Sequence, residues 1–320
     1  MNVMQWLLTL AGMILMLGGL LLIVAFSVYA ERRFLGLLQD RYGPNRAGPF
    51  GLLQPFADAV KLLTKEAFTP PFADRQLYNI APFIIPLTVL LSFAVIPAGE
   101  GWWLTDINIA LLFILAMSSL SVYGIMLGGW ASNSKYPLLG GLRVAAQMIS
   151  YELPMGLALV SVTLLAGSFS LVEIVAAQNL PFLLLQPAGF LIFLIAGIAE
   201  VNRLPFDLPE AENELTSGYN TEYGGIKFGF FYLGEYMGVL LIASLITVLF
   251  LGGWHGPWLP GPFWFSIKVM LLLFGFFWLR TSLPRLRYDQ LMELGWKILL
   301  PASLINLLIT ALVGLYWMGN

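Results

Sequence analysis

The chain of 320 residues has no cysteine and a single histidine, His255. The first absence excludes disulfides, thiolate metal sites and iron–sulfur ligation, and one imidazole cannot by itself build a haem or zinc centre. His255 stands in Gly252-Gly253-Trp254-His255-Gly256-Pro257, where glycine and proline mark a turn. Any electron-transfer cofactor therefore belongs to another polypeptide, and no metal site is expected here. Charge is scarce as well: 11% of residues are Asp, Glu, Lys or Arg, with a formal net charge of −2. The basic residues form no dense patch, which argues against nucleic-acid binding. No glycine loop opening a helix is present to hold a dinucleotide.

What fills the chain is apolar: 59% hydrophobic and 14% aromatic residues, with a mean hydropathy of +0.82. Runs of this length are not needed by a soluble core, so the fold class is an all-α polytopic membrane protein. Windows of about 20 apolar residues predict eight transmembrane helices, at 6–30, 78–98, 107–130, 141–166, 185–203, 228–251, 262–281 and 297–317. The first lacks the basic start and small-residue cleavage site of a leader, so it reads as a retained span. With no repeat and no long linker, residues 1–320 read as one integral membrane domain.

The basic residues orient the spans. Those from Arg32 to Arg75, Lys135 and Arg143, Arg203 and Lys227, and Arg280 to Lys297 follow helices one, three, five and seven, while the stretches near 99–106, 167–184 and 252–261 have no Lys or Arg. By the positive-inside rule the basic loops are cytoplasmic and both termini face outward. Only Lys268 departs, inside helix seven.

The first cytoplasmic segment, Glu31 to Leu77, opens with the turns Gly43-Pro44-Asn45 and Gly48-Pro49. Pro55 then suits a helix start. Leu53, Phe56, Val60, Leu63 and Ala67 recur at intervals of three and four, opposite Gln54, Asp58, Lys61 and Lys65. This is the pattern of an amphipathic surface helix lying on the membrane. It is either a plain cap or the wall of an entrance for an amphiphile arriving from lipid.

Charges within the spans are costly and so carry information. Glu152 lies roughly 16 Å into helix four at about 1.5 Å per residue, near mid-membrane, and Glu235 and Lys268 lie about two turns into their helices. They are either ion pairs that hold helices together, Glu152 with Arg143 or Lys268, or members of a proton path. The run Pro205-Phe206-Asp207-Leu208-Pro209-Glu210-Ala211-Glu212-Asn213-Glu214, with Glu222 close behind, adds five acids. A solvated acidic face and a set packed against a cavity are both open, the latter favoured by the interleaved Pro205, Phe206, Leu208, Pro209 and Tyr219. Crowded carboxylates titrate as a coupled set.

Glu31-Arg32-Arg33, Arg41-Tyr42-Gly43-Pro44-Asn45, Gly51-Leu52-Leu53-Gln54 through Asp58, Lys61 and Lys65-Glu66, and Pro205 through Glu212 resemble the H-type membrane subunits of bacterial NADH:quinone oxidoreductase, respiratory complex I. Tyr151-Glu152, Gly234-Glu235-Tyr236 and the loop from Arg280 to Asp289 extend the resemblance over essentially the whole chain. It implies a non-catalytic-centre subunit of a proton-translocating enzyme in the bacterial cell (inner) membrane, which frames the quinone entrance and chamber. Arg32 and Arg41 would line that entrance. The coupling path would run through Glu152, Asp207, Glu210, Glu212, Glu214, Glu222 and Glu235, supported by Glu31, Glu66, Arg143, Arg203 and Lys268. Quinone would be the substrate. Flavin and iron–sulfur clusters would sit in partner subunits, and the partners would be the peripheral quinone-site subunits, antiporter-like membrane subunits and the bilayer.

Two other readings stay open. The homologous component of a membrane-bound hydrogenase or of a ferredoxin- or deazaflavin-linked complex shares fold and carboxylates, although the full surface-helix motif and acidic loop favour the quinone enzyme. A stand-alone secondary transporter would also place ionisable groups at midplane, and often shows a repeated half.

Overall fold

The computed structural model describes residues 3–208 and 218–318. These residues are largely helical and contain no strand. The order is α1 (Val3–Leu38), α2 (Gln54–Thr64), α3 (Arg75–Phe93), α4 (Ala110–Ala131), α5 (Lys135–Ala166), the short α6 (Leu171–Ala177) and α7 (Phe182–Leu185), α8 (Pro187–Glu200), α9 (Gly225–Phe250), α10 (Gly261–Ser282), α11 (Tyr288–Glu293) and α12 (Leu300–Met318). A π-helical stretch, Leu294–Leu299, joins the last two without a break. All eight predicted spans are present: seven helices are long and apolar enough to cross a membrane, and α8 is a shorter apolar one. The protein is a multi-pass membrane protein.

α5 starts six residues before its expected place, at Lys135, and two other departures in length bear on the site. α1 has 36 residues, about 54 Å at 1.5 Å per residue, so it outruns a hydrocarbon core of about 30 Å and carries Glu31, Arg32 and Arg33 on its final turns rather than in a loop. Consecutive residues of a helix point about 100° apart, which sends Glu31 into the protein (1% exposed) and leaves Arg32 outside. The helix stops where Asp40 takes φ 51° and the Arg41 N–H turns back to the Gly36 carbonyl at 2.9 Å. Gly36 is required there, since a Cβ would stand 2.9 Å from the Arg41 carbonyl oxygen.

The second difference is α8, whose 14 residues span about 21 Å instead of the 19 residues expected over 185–203. The short α6 and α7 precede it in the chain, and directly after α7 Pro187 starts the helix. Its near end stops short at Glu200.

α9 forms the centre. Its apolar residues are spread over every face, with Lys227 and Glu235 as its charged ones, and most of its residues are buried, against α3, α10, α1 and α8 among others. Close approach depends on missing side chains: a Cβ on Gly234 would lie 2.6 Å from Ile85 of α3, and one on Gly197 of α8 would lie 2.7 Å from Ile242 of α9. Small residues at helix crossings bring backbones together and supply the dispersion contacts that hold helices in lipid. α5 packs along α4, α8 and α12 on the other side of the bundle.

The surface helix is present as α2, eleven residues long. It ends at Thr64, where Lys65 turns extended, so Ala67 lies beyond it rather than on its apolar stripe. Leu53, just before the helix, and Phe56, Val60 and Leu63 on it are all exposed, as befits a face meant for lipid, a partner subunit or an apolar ligand. Its opposite side is fixed to α1: Arg32 pairs with Asp58 at 2.7 Å, and Gln54 donates to the other Asp58 oxygen at 3.0 Å. Tyr29 and Arg33 of α1 both donate to the Phe50 carbonyl, at 2.6 and 2.8 Å, pinning the turn that leads into it.

Candidate functional site

Near the basic end of the bundle, four charged side chains meet where α1, α9, α10 and the chain after α8 converge. Arg203 sits between two carboxylates, 2.6 Å from Glu235 and 3.4 Å from Glu31, and Arg280 of α10 also pairs with Glu31. The side chains of Arg203, Glu31 and Glu235 are only 12%, 2% and 15% exposed. Two acids and two bases cancel in formal charge, which is the condition under which such burial is tolerable. The Arg203 guanidinium also lies 4.2 Å from the centre of the Tyr236 ring, and the Tyr236 hydroxyl is 3.0 Å from that of Tyr232. Asp207 adds negative potential at Glu235.

From this cluster a cavity of about 80 Å³ leads inward between α3, α4, α5, α8 and α9. That is room for several waters, since one needs on the order of 10–15 Å³ measured this way. Its walls are mostly apolar, but Glu235, Glu200 and Asn202 stand on them together with Ser92, Ser118 and Ser121. Glu200 ends α8, is 8% exposed and feels the charge of Glu152 on α5. Glu152 is the 18th of the 32 residues of α5, close to its middle, and bonds the Ser119 hydroxyl of α4. Pro154 follows two residues later, and its missing N–H releases the Ser150 carbonyl at the same depth. Gln147, fully buried one turn earlier, donates to the Ala199 and Phe206 carbonyls at 2.8 and 2.9 Å and so holds both ends of the Glu200 corner.

Thus the structure brings Glu31, Arg203, Glu235 and Asp207 into one neighbourhood and Glu152 into another, with Glu200 between them. Glu200 was missed in the sequence because a helix drawn through residue 203 puts it at the rim. Counting the apolar residues from Pro187 would have found it, as they run out after about 20 Å and leave the acid inside the bilayer.

The remaining candidates are dispersed. Glu210, Glu212 and Glu214 lie outside the described residues. Glu222 is half-buried, and its backbone carbonyl accepts from Tyr78 at 2.6 Å. Tyr78 stacks on Tyr223, whose hydroxyl is pushed above the ordinary tyrosine range by burial and then by Tyr78, and stays a donor to the Gly128 carbonyl at 3.2 Å. Arg143 is half-buried on α5, and Glu66 is exposed just past α2. Arg32 is held by Asp58, whereas Arg41, exposed beyond the end of α1, bonds Gln39 at 2.8 Å.

Lys268 is far from any role beside Glu152. Its ammonium donates to the carbonyls of Leu251, Gly253 and His255 at 2.7, 2.9 and 2.7 Å, closing the C-terminal end of α9. Among the described residues there is no cluster of three or more metal-ligating side chains.

Comparison with known proteins assigns this arrangement to a family. The model of the NADH dehydrogenase family matches residues 11–311. The H subunit of NADH-quinone oxidoreductase from Syntrophotalea carbinolica is 56% identical, with 95% of each chain covered. The second of the H subunits from Syntrophobacter fumaroxidans is 54% identical with 98% of each covered, and the first of those from Geobacter metallireducens is 54% identical with 94% of each covered. By the extent of that match and these identities, the chain belongs to the NADH dehydrogenase family, among the H subunits of NADH-quinone oxidoreductase.

Proposed function

We propose that this membrane subunit of the proton-translocating NADH:quinone oxidoreductase is placed where membrane and redox arms meet, and that its carboxylates carry the effect of quinone reduction into the bilayer. One observation bears most of the weight: the succession from Glu31, Arg203 and Glu235 through the cavity to Glu200 and Glu152. Converting quinone to quinol consumes two electrons and two protons, so the chamber's charge balance changes at each turnover. Carboxylates close enough to repel one another respond as a group. A proton gained or lost at Glu235 alters the balance with Arg203 and Arg280, and water in the cavity offers the next acceptor towards Glu200. Asp207, Glu222 and the acids at 210, 212 and 214 would join the series from the chamber side, with Glu66 and Arg143 as supporting charges.

The quinone entrance is assigned to the gap framed by α1, α2 and the start of α9. In its favour are the exposed apolar stripe of α2 and the exposed face of α1, which offer an isoprenoid tail a route from lipid, with Arg32 and Asp58 as polar contacts beside it. Arg41, further out, would meet the headgroup or the peripheral quinone-site subunit. Electrons would come from flavin and iron–sulfur centres in partner subunits, and antiporter-like membrane subunits would receive the coupling signal beyond Glu152. In the bacterial membrane the basic loops would face the cytoplasm and both termini the outside.

The test is made in the assembled complex. Glu235→Gln and Glu152→Gln each remove one titrating group without removing its bulk. NADH:quinone reductase rate and vesicle acidification should both fall by an order of magnitude or more while assembly persists. Full activity and full pumping in both variants would refute the coupling role.

A further inference from the structure

We infer that Ser119 is a positioning residue for Glu152, a hydroxyl that lets this carboxyl take up and release a proton without moving. The inference rests on the coupling role proposed above. α4 packs along α5 and sets Ser119 against Glu152, so that its Oγ bonds Glu152 Oε1 while also standing 3.1 Å from the Leu115 carbonyl of its own helix. Among the described residues Ser119 is the one hydrogen-bond partner of Glu152.

A serine hydroxyl has one proton to give and two lone pairs to offer. Here it faces two acceptors, so it has two satisfied settings. With Glu152 ionised, the Ser119 O–H donates to the carboxylate. Once a proton has arrived, the new carboxyl O–H donates to Ser119 Oγ, and the serine proton swings about its Cβ–O bond to the Leu115 carbonyl. No bond of the serine breaks: only the O–H bond of Glu152 forms and is broken, and the proton comes from and returns to the polar file that includes Glu200. An alanine here supports neither setting, because the ionised carboxylate loses its donor and the protonated form its acceptor. The Ser119–Glu152 contact is half-buried, and polar groups left in that condition away from water are penalised.

The helix around Ser119 fits this use. Ser118 and Ser121 bond the carbonyls of Leu115 and Ser118 at 2.9 and 2.7 Å, and both face the cavity that Glu200 and Glu235 share. Ser119, by contrast, turns to α5. One turn of α4 thus presents hydroxyls to the water-sized space and to the carboxyl beyond it.

Ser119→Ala and Ser119→Thr, made in the full complex, test the inference, with the infrared band of the Glu152 carboxyl assigned by its disappearance in Glu152→Gln. Ser119→Ala should assemble, pump about tenfold more slowly, the equivalent of one hydrogen bond to a charged group, and shift the carboxyl band upward as the acid loses its acceptor. Ser119→Thr should restore both rate and band. In the unaltered enzyme the band should already have the position of a hydrogen-bonded acid. An unshifted band and an unchanged rate in Ser119→Ala would overturn the inference. So would a wild-type band at the position of a free acid, which needs no variant to observe. If Glu152→Gln pumped normally while the band still moved in Ser119→Ala, the coupling role would fail and the hydrogen-bond assignment would stand.

Discussion

The two ends of the bundle answer the same problem differently. At the basic end, cations are matched by carboxylates: the nearly buried Arg203 and the half-buried Arg280 with Glu31 and Glu235. At the opposite end, Lys268 is matched by three peptide carbonyls at the close of α9. Both arrangements satisfy a charge in poor solvent, yet a carbonyl cannot titrate and a carboxylate can. The first set is able to respond to chemistry nearby. The second is a fixed clamp, helped by the negative end of the helix dipole.

The largest effect expected from this contrast is at Arg203. Arg203→Ala leaves Glu31 and Glu235 short of their shared cation, and breaking a buried pair in this way costs about 3–5 kcal/mol. The complex should fail to accumulate, as read on native gels, whereas Arg203→Lys should recover part of the assembly and less of the activity. Lys268→Met should act oppositely in kind. The α9 clamp is worth up to about 2 kcal/mol, so thermal inactivation should come a few degrees earlier while the ratio of protons pumped to electrons transferred is unchanged. A changed ratio would erase the distinction between the two ends.

Gln147→Leu probes the corner between them. Two hydrogen bonds from α5, one to α8 and one to the turn after it, vanish and the Ala199 and Phe206 carbonyls lose a donor, at about 1–3 kcal/mol. Because these carbonyls flank Glu200, reductase activity should drop further than assembly does. The smallest effect is expected at Asp58→Asn. The Arg32 pair is partly open to solvent and worth less than about 1 kcal/mol, so stability should hold while the apparent affinity for quinone weakens. A fall in stability larger than the fall in affinity would make α2 a structural cap.

Much of this was legible beforehand because lipid leaves the backbone few choices. A run of about 20 apolar residues without water must be a helix, and eight were found close to their predicted places. The 3.6-residue stripe from Leu53 to Leu63 likewise foretold α2. What escaped was governed by tertiary contact rather than hydropathy. Glu31-Arg32-Arg33 reads as the end of a span because the polarity rises sharply, but α1 continues to Leu38, with Glu31 neutralised by Arg203 and Arg280 from distant parts of the chain. Lys268 looked like a counter-charge for Glu152, and only the fold reveals that the residues from 251 to 255 curl over it. Glu200 was hidden because the span was drawn through residue 203, three residues past the end of α8.

α8 bears on where a membrane voltage falls. If the cavity beside Glu200 is wet from the basic end, that acid stands near the potential of the basic side, and most of the drop lies beyond it, along α8. An ion leaving Glu200 for the far side still works against nearly the whole drop, about 2.3 kcal/mol for each 100 mV, whereas one arriving from the basic end works against almost none.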